Sequence, residues 1–412
     1  MRFNSVDLML TTRCNLRCAF CYIDKHPDVT PENEVQRNID TCNWIVNQYR
    51  TAPSTNPNEQ KQVNINLYGG EPTVAWDSVV ALVNWRKSIT DVEVKMGLVT
   101  NMVLMDSDRI DWCLANNISI SPSIDGCKEV EDMFRITEKG ETVSDVVFAN
   151  AKILNARSKA RHCRSTLSPA TVPYMFKSMK FLTEELGFEQ VNQILAGGVG
   201  WKDEDIEVAK QQTTLITDWW IENMRKKKHY SIYYIRNMLG GIWTPTRKRG
   251  LCSAGCGMGA VDTNGNIYPC HRFCNDSTPA EYTMGNIHTG GVVNKVLEDK
   301  LKNFDLASYH KEKCSTCIAV NSCMALCIHE MMLAGNGMFE PLPHYCKMWK
   351  FYYTEAMRAH AIMDAEKNQL YYSLYRPRPQ QANVNNQVQQ QITQLQQIAK
   401  QIQQTQQQMM KK

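Results

Sequence analysis

The sequence predicts an α/β protein: a partial (β/α)6 barrel followed by a cysteine-rich domain that is held together by metal. Apolar runs rich in β-branched residues alternate with helical patterns over the first 240 residues. The chain's 16 cysteines are clustered rather than dispersed, which in a large non-secreted chain is typical of metal ligands. From residue 241 to about 350, glycine, proline and cysteine become dense and regular periodicity fades.

Six strands are predicted in the barrel region, near residues 6–10, 63–67, 94–99, 118–124, 163–167 and 190–195. Helices are predicted near residues 34–49, 78–88, 108–115, 144–156, 173–186 and 203–227. Strict alternation of strand and helix implies parallel strands joined by right-handed crossovers. Six such units form a partial barrel, and barrels of this kind carry their chemistry at the C-terminal ends of the strands.

Composition and charge are ordinary for a globular enzyme, with 43% apolar residues, 21% charged residues and a net charge of +4. We therefore expect no nucleic-acid or membrane partner. Basic runs at residues 225–228 and 247–249 are interpreted either as solvated surface or as a patch for an acidic substrate segment. We find no leader peptide before the first motif and no apolar run near the roughly 18 residues of a membrane span. A cytoplasmic protein with reduced thiols is expected.

The first cysteine cluster directly follows the first predicted strand and has the spacing C-x3-C-x2-C, formed by Cys14, Cys18 and Cys21. A four-iron cluster usually takes four thiolates, so three from one loop leave one iron open to a non-protein ligand. Structural zinc is the competing interpretation, with His26 as the fourth ligand. Spacing alone does not decide between the two.

The segment Thr12-Arg-Cys-Asn-Leu-Arg-Cys-Ala-Phe-Cys-Tyr22 resembles the signature of the radical S-adenosylmethionine (SAM) superfamily. Further marks of that family follow in order: Gly69-Gly-Glu-Pro72, Thr100-Asn101, Ser121-Pro-Ser-Ile-Asp-Gly126 and Arg135. The resemblance implies that the glycine-rich stretch meets the amino group of SAM, that a polar residue lies near its ribose, and that Arg135 holds its carboxylate. The implied cofactor-binding residues are Phe20, Tyr22, Gly69, Gly70, Glu71, Thr100, Asn101, Ser123, Asp125 and Arg135.

The same resemblance implies the reaction. The amino and carboxylate groups of SAM would chelate the open iron of a 4Fe–4S cluster. An electron from the cluster would break a carbon–sulfur bond and give methionine and a 5′-deoxyadenosyl radical, which removes a hydrogen atom from an unactivated carbon. An external electron donor of the flavodoxin or ferredoxin type is implied as a partner.

The second cysteine field, which ends at Cys346, contains the regular run Cys314-x2-Cys317-x5-Cys323-x3-Cys327 and resembles the SPASM domain of radical enzymes that modify peptides and proteins. This resemblance implies two auxiliary 4Fe–4S clusters, and so three in total. The implied ligands are Cys252, Cys256, Cys270 and Cys327 for the first, and Cys314, Cys317, Cys323 and Cys346 for the second. Two alternatives stay open. The fourth ligand position of the first cluster is open to substrate instead of being filled by Cys256, or the domain binds two structural zinc ions instead of two clusters.

Two smaller predictions concern a turn and the remaining cysteines. The pair Asn264-Gly265 signals a hairpin turn between the cysteines at positions 252 and 270. Five further cysteines are predicted to be small buried hydrophobes: Cys42, Cys113, Cys127, Cys163 and Cys274.

Two positions separate the sequence from sulfatase-maturing enzymes, which share this architecture. Those enzymes typically have glutamine where this chain has Tyr68, and a catalytic aspartate where it has His271, the single catalytic candidate. The residues around Cys270 are more similar to those of maturases that act on ribosomally made peptides. We therefore expect a peptide or protein substrate and a thioether or carbon–carbon cross-link. A sulfatase-type maturase that forms formylglycine and a non-catalytic iron–sulfur electron-transfer protein are the alternatives.

Four regions are predicted along the chain: a barrel over residues 1–240, the auxiliary-cluster domain over 241–350, a helix over 351–376 and a glutamine-rich tail over 377–412. The tail is interpreted either as disordered or as a weak coiled coil that supports weak self-association. Its apolar residues follow a four–three spacing that Gln406 interrupts: Val388, Ile392, Leu395, Ala399, Ile402 and Met409.

Overall fold

The computed structural model describes residues 3–23, 32–51, 61–243, 252–323, 327–335 and 337–375. His26 and the predicted tail lie outside these residues. The chain divides into two compact units. The first comprises Met1–Thr166, Glu184–Phe188 and Ser253–Phe304, and the second comprises Leu167–Thr183, Glu189–Cys252 and Asp305–Lys412.

The strands are β1 (Ser5–Met9), β2 (Gln62–Tyr68), β3 (Glu93–Thr100), β4 (Ile118–Pro122), β5 (His162–Leu167), β6 (Gln190–Leu195), β7 (Ser231–Ile232), β8 (Met258–Val261), β9 (Asn266–Tyr268), β10 (Gly285–Asn286) and β11 (Gly291–Val292). The helices are α1 (Glu34–Thr51), α2 (Trp76–Ser88), α3 (Ser107–Ala115), α4 (Lys128–Phe134), α5 (Ser144–Arg157), α6 (Met175–Lys180), α7 (Asp203–Arg225), α8 (Tyr233–Trp243), α9 (Lys295–Lys302), α10 (Leu306–Tyr309), α11 (Lys311–Cys314), α12 (Ile328–Leu333), α13 (Pro343–Ala365) and α14 (Gln369–Tyr375).

The first unit is built on a sheet with the strand order β11-β10-β9-β8-β1-β2-β3-β4. Strands β8, β1, β2, β3 and β4 are parallel to one another, whereas β9, β10 and β11 form antiparallel pairs at one end. Beyond β4, a parallel bridge between Ser123 and Arg164 connects to β5. The mixed α/β fold with a parallel sheet, predicted from the alternation of strands and helices, is confirmed.

The faces of the sheet differ in polarity because side chains alternate along a strand. In β2, Val63, Ile65 and Leu67 are completely buried, and the intervening Asn64 and Asn66 are half-buried on the opposite face. Helix α1 contributes Ile45, Val46 and other apolar residues to the buried core. A strand with one apolar and one polar face separates a packed core from a polar site.

The second unit contains the parallel pair β6 and β7, with Gln190 opposite Ser231. The N–H of Ala196, directly after β6, donates to the carbonyl of Leu167 at 2.6 Å. Helices α7, α8 and α13 pack on one another, and Trp220, Ile235 and Ala356 are completely buried. In the described parts of the chain, no helix is both long enough and apolar enough to cross a membrane.

All six predicted barrel strands are present, with β4 ending at Pro122 two residues before its predicted end. The predicted helix over 173–186 is α6 flanked by 3-10 and π-helical turns. The helix predicted near 351–376 is divided into α13 and α14, because Lys367 between them has a positive φ of 50°. The five cysteines predicted as small hydrophobes are all buried.

Candidate functional site

The loop after β1 carries the three clustered cysteines, and hydrogen bonds from its main-chain N–H groups hold it in place. The N–H of Leu16 donates to Sγ of Cys14 at 3.4 Å, and the N–H of Cys21 donates to the carbonyl of Cys18 at 3.1 Å. Arg17 donates from its main chain to the carbonyl of Ile136 at 2.8 Å. Cys14 and Cys18 are half-buried and Cys21 is exposed, so their thiols are accessible to a bound group.

These thiols are close enough to influence each other's ionisation. Burial, together with smaller contributions from the negative charges of Glu71, Cys18 and Cys21, raises the pKa of Cys14 to about 12. Thiolates that repel one another in this way are stabilised by cationic iron. No three His, Cys, Asp or Glu side chains in the described segments converge tightly enough to hold a single metal ion. A four-iron cluster spreads its thiolates more widely than one ion does, and the three-cysteine loop fits that group.

The Gly-Gly-Glu turn after β2 is joined to the cysteine loop through the main chain. The N–H of Gly70 donates to the carbonyl of Thr11, and that of Glu71 to the carbonyl of Arg13, both at 2.9 Å. A Cβ atom at Gly70 would lie only 2.3 Å from the Arg13 carbonyl oxygen. Residue 70 must therefore be glycine for the two segments to approach this closely.

Glu71 is buried and fully engaged within the chain. Its Oε1 accepts from the main-chain N–H and the hydroxyl of Thr73, at 3.1 and 2.6 Å, and its Oε2 accepts from the N–H of Asn101 at 2.7 Å. Burial raises the pKa of this carboxyl group. Asn101 in turn donates from Nδ2 to Oδ1 of Asn15 in the cysteine loop at 2.8 Å. Glu71 thus fixes the geometry of the site, and its predicted contact with SAM stays a prediction.

Asp125 and Arg135, predicted as cofactor ligands, are brought together as a buried ion pair. Nε and Nη2 of Arg135 donate to the two carboxylate oxygens at 2.7 and 3.0 Å. The guanidinium also lies over the ring of Phe20, with Cζ 5.5 Å from the ring centroid. Ser123 and Thr100, two further predicted cofactor ligands, are adjacent: the N–H of Ser123 donates to the carbonyl of Thr100 at 2.9 Å. The structure therefore gathers these predicted residues around the cysteine loop.

A neighbouring carboxylate completes this group. Glu131 is completely buried, and its Oε2 accepts from the N–H of Asp125 at 2.7 Å. Its Oε1 lies 3.6 Å from Nε of Arg135 without a hydrogen bond. Burial raises the pKa of Glu131 to about 8, since Arg135 is already committed to Asp125.

His271, the catalytic candidate, lies against two tyrosines and pairs with Asp7. Its ring stacks on Tyr68, with the centroids 4.3 Å apart, and its centroid is 5.7 Å from that of Tyr22. Nδ1 of His271 lies 2.5 Å from Oδ2 of Asp7, whose Oδ1 accepts from Asn66 at 2.8 Å.

The ionisation of the pair follows from its surroundings. Burial lowers the pKa of His271 and favours the neutral ring. Burial alone would raise the pKa of Asp7, but His271, Asn66 and Arg164 together lower it. Nδ1 therefore carries the hydrogen that Asp7 accepts, which leaves Nε2 as an acceptor.

Sequence reasoning missed Asp7, Asn66 and Arg164. Each is a polar residue inside a predicted strand, at a position where alternation places it on the face opposite the apolar core. That polar alternation was the available signal, although it does not say which polar residues meet.

The second unit contains a cavity of about 420 Å³ with cysteines in its wall. All four predicted ligands of the second auxiliary cluster line it, together with Trp349, Lys313 and Lys350: Cys314, Cys317, Cys323 and Cys346. Burial raises the pKa of Cys314, and Cys317 and Cys346 raise it further, so these thiols lie close together. The donor set and the space fit an iron–sulfur cluster, and the ligand assignment stays a prediction.

The predicted ligands of the first auxiliary cluster belong to both units. Cys256 and Cys270 lie in the first unit, and Cys252 and Cys327 lie in the second. The predicted hairpin is present, since β8 and β9 pair antiparallel and Gly265, with φ of 79°, donates to Asp262 in the turn. Cys270 follows β9 directly.

Comparisons with known proteins agree with this arrangement. Residues 8–161 match the model of the Radical SAM superfamily. The chain is 24% identical over 335 residues to a cysteine-type anaerobic sulfatase-maturating enzyme of Clostridium novyi (strain NT), covering 77% of this chain and 85% of that protein. It is 19% identical over 392 residues to the radical SAM cyclopropyl synthase TigE of Paramaledivibacter caminithermalis, covering 90% of this chain and 76% of that protein.

Solved structures share the fold. Native anSMEcpe with bound AdoMet superimposes with a TM-score of 0.69 at 19% identity, covering 88% of this chain and 99% of that one. SuiB of Streptococcus suis gives a TM-score of 0.52 at 14% identity, covering 80% of this chain and 74% of that one. At these identities the likeness shows the fold and leaves the substrate open.

Proposed function

We propose that this chain, whose residues 8–161 match the Radical SAM superfamily model, is a radical SAM enzyme of the SPASM-domain type that modifies a peptide or protein substrate by hydrogen-atom abstraction. The observation that carries the proposal is the joining of the three-cysteine loop to Gly70 and Glu71 by main-chain hydrogen bonds. These bonds connect the residues suited to hold a cluster with the turn that the superfamily uses for its cofactor.

When bound, the cluster and SAM together supply a 5′-deoxyadenosyl radical that removes a hydrogen atom from carbon. The chain's own residues would then hold and orient the reactants. Cys14, Cys18 and Cys21 would bind the cluster. Arg135, stacked on Phe20 and paired with Asp125, would offer its remaining N–H donors to the carboxylate of SAM.

We further propose two auxiliary 4Fe–4S clusters, which bring the total to three. The cavity lined by Cys314, Cys317, Cys323 and Cys346 supports the second of them. Cys252, Cys256, Cys270 and Cys327 would bind the first. An external donor of the flavodoxin or ferredoxin type would supply the electrons.

Two residues favour a cross-link over formylglycine. Tyr68 and His271 stand where sulfatase-maturing enzymes typically have glutamine and a catalytic aspartate, and here they stack on each other. Because Nδ1 of His271 is committed to Asp7, Nε2 would be the atom that accepts a proton from the substrate. The product we propose is a thioether or carbon–carbon bond within a ribosomally made peptide.

A sulfatase-type maturase is the second candidate, and the relatives favour it. The C. novyi enzyme is covered over 85% of its length, and native anSMEcpe has been solved with bound AdoMet and the Kp18Cys peptide. Formylglycine formation at a cysteine removes the sulfur and leaves an aldehyde, whereas a cross-link removes two hydrogen atoms and keeps the sulfur. The two candidates therefore give products that differ in mass and in reactivity.

The test is made with anaerobically reconstituted, chemically reduced protein. With SAM it should form 5′-deoxyadenosine, and the Cys14, Cys18 and Cys21 triple alanine variant should form none. Absence of 5′-deoxyadenosine from the wild type would refute the proposed chemistry. A Cys113→Ala variant, which removes a buried cysteine outside the predicted ligand sets, is the matched control and should keep activity.

The product is identified by mass spectrometry after incubation with two kinds of peptide. One is the Kp18Cys peptide, and the others are peptides encoded in reading frames beside the gene. A mass decrease of two hydrogen atoms in a peptide encoded beside the gene supports the cross-linking proposal. An aldehyde in Kp18Cys contradicts it and supports the sulfatase-type alternative.

A further inference from the structure

The face of the first unit's sheet opposite its apolar core is lined by polar side chains. In parallel barrels this position is usually filled by bulky branched residues. Here β1 contributes Asp7, β2 contributes Asn66 and Tyr68, and β5 contributes Arg164. A polar lining at this position indicates a binding surface rather than a packed core.

Two of these four residues, Asp7 and Arg164, are charged. The charge of Arg164 has no direct partner among the described residues. Its main chain is fixed, since Ser123 bridges to it and its carbonyl accepts from Ile124 at 2.9 Å. Its half-buried guanidinium makes neither a hydrogen bond nor an ion pair within the segments that the structure describes. A half-buried arginine without a carboxylate is uncommon, because desolvation of its charge is not offset by a partner.

Asp7, the carboxylate in this cluster, already has a partner at each of its two oxygens. One of its oxygens accepts from His271 and the other from Asn66. The positive charge of Arg164 lowers the pKa of Asp7 and of Tyr68, so both groups lie within electrostatic range of it. Arg272 adds a second positive charge, 5.7 Å from the Tyr22 ring centroid. Among the described residues, this cluster contains two arginines, Arg164 and Arg272, and the carboxylate of Asp7.

We propose that Arg164 binds a carboxylate of one of the two reacting molecules, beside the stacked Tyr68 and His271. A guanidinium binds a carboxylate through two parallel N–H donors, and the neighbouring aromatic rings exclude water from such a contact. The carboxylate belongs either to the peptide substrate, as an acidic side chain or C-terminus, or to the methionine part of SAM, which Arg164 would then hold together with Arg135. The inference rests on the proposed function for the identity of these molecules.

The test measures binding and not turnover, so that it can fail separately from the proposed function. For the cofactor, SAM and decarboxylated SAM are titrated into reconstituted protein while the cluster spectrum is followed. For the substrate, N-acetyl-L-glutamate, which carries a side-chain and a terminal carboxylate, is compared by ligand-observed NMR with N-acetyl-L-glutamine amide, which carries neither. Each is applied to wild type, Arg164→Gln and Arg164→Lys.

We expect Arg164→Gln to weaken binding of one carboxylate probe by about tenfold or more, and not that of its carboxylate-free analogue. Arg164→Lys should restore part of the affinity, because it keeps the charge and loses the two-donor fork. An effect on SAM assigns the carboxylate to the cofactor, and an effect on N-acetyl-L-glutamate assigns it to the substrate.

Arg157→Gln is the matched control, since it removes an exposed arginine from the same unit. It should change none of the four affinities. If Arg164→Gln and Arg164→Lys both bind all four probes as the wild type does, the inference is overturned. Because Arg164→Lys conserves the charge and most of the side-chain length, it provides a folded variant even where Arg164→Gln does not.

Discussion

Asp125 and Arg135 are joined by two hydrogen bonds of 2.7 and 3.0 Å, and both side chains are buried. The sequence predicts each of them separately as a cofactor ligand. The structure makes them one unit, in which Oδ1 of Asp125 also accepts from the N–H of Thr166 at 2.7 Å. A ligand that contacts either residue therefore meets a preorganised pair.

Arg135→Gln should destabilise the protein as well as weaken SAM binding. The substitution leaves the carboxylate of Asp125 buried without a cation, and breaking a buried pair in this way costs about 3–5 kcal/mol. The free energy of unfolding, measured by urea denaturation of the iron-free protein, checks this. Arg157→Gln breaks only exposed contacts, with Asp111 and Ser107, and should cost less than about 1 kcal/mol. Equal stability of the two variants would contradict the buried pairing.

Glu131 should make stability fall as the pH rises. Burial raises its pKa from 4.5 to about 8 in the folded protein. Between these values the unfolded chain loses the proton and the folded chain keeps it, so the free energy of unfolding decreases with pH by at most about 1.4 kcal/mol per unit.

The variant Glu131→Gln removes this titration and keeps an oxygen for the N–H of Asp125. Its free energy of unfolding relative to wild type should therefore rise from pH 5 to pH 8 and then level off. Urea denaturation at four or five pH values measures this difference. A difference that stays constant over the range would mean that Glu131 is ionised throughout.

Gly70→Ala should remove the N-terminal cluster. The new Cβ would lie 2.3 Å from the carbonyl oxygen of Arg13 and 2.6 Å from that of Thr12, so the cysteine loop must move. Reconstituted protein should then contain about four fewer irons than wild type, with any auxiliary clusters retained. Gly240→Ala is the control, because its added Cβ meets open space in α8. Full iron content in Gly70→Ala would show that the close approach is not required.

Replacing Cys314, Cys317 and Cys346 together by serine should also remove about four irons, but with a different consequence. These residues line a cavity in the second unit, whereas the predicted cofactor residues lie in the first. SAM titration of the remaining clusters should therefore give an unchanged affinity. Iron analysis and the spectral titration check the two expectations. An unchanged iron content would contradict a cluster in this cavity.

The sequence was sufficient for features that local patterns encode. Apolar runs rich in β-branched residues predicted β2 and β5, whose apolar residues are buried, and Asn264-Gly265 predicted the turn between β8 and β9. The resemblance to the SPASM domain predicted the four cysteines that line the cavity of the second unit. The strand and turn signals each lie within a few residues of the chain.

Features that depend on distant partners were not predicted. Asp7 and His271 are 264 residues apart, and nothing near either residue indicates the other. Strand β8 has four residues and no distinctive alternation, so its parallel pairing with β1 left no local signal. The break at Lys367 needs a positive φ at a residue type that rarely adopts it, and so a single long helix was predicted.

The position of β1 between β2 and β8 has a consequence for how the protein is synthesised. The first neighbour of β1 begins at Gln62, but the second begins at Met258, so the ribosome must add most of the remaining chain before that edge is paired. Until then, a strand with four buried positions exposes free main-chain donors and acceptors, which other nascent chains can pair with. A gene fragment that ends between the two cysteine fields would keep this edge open permanently, and it would aggregate rather than fold as a smaller enzyme.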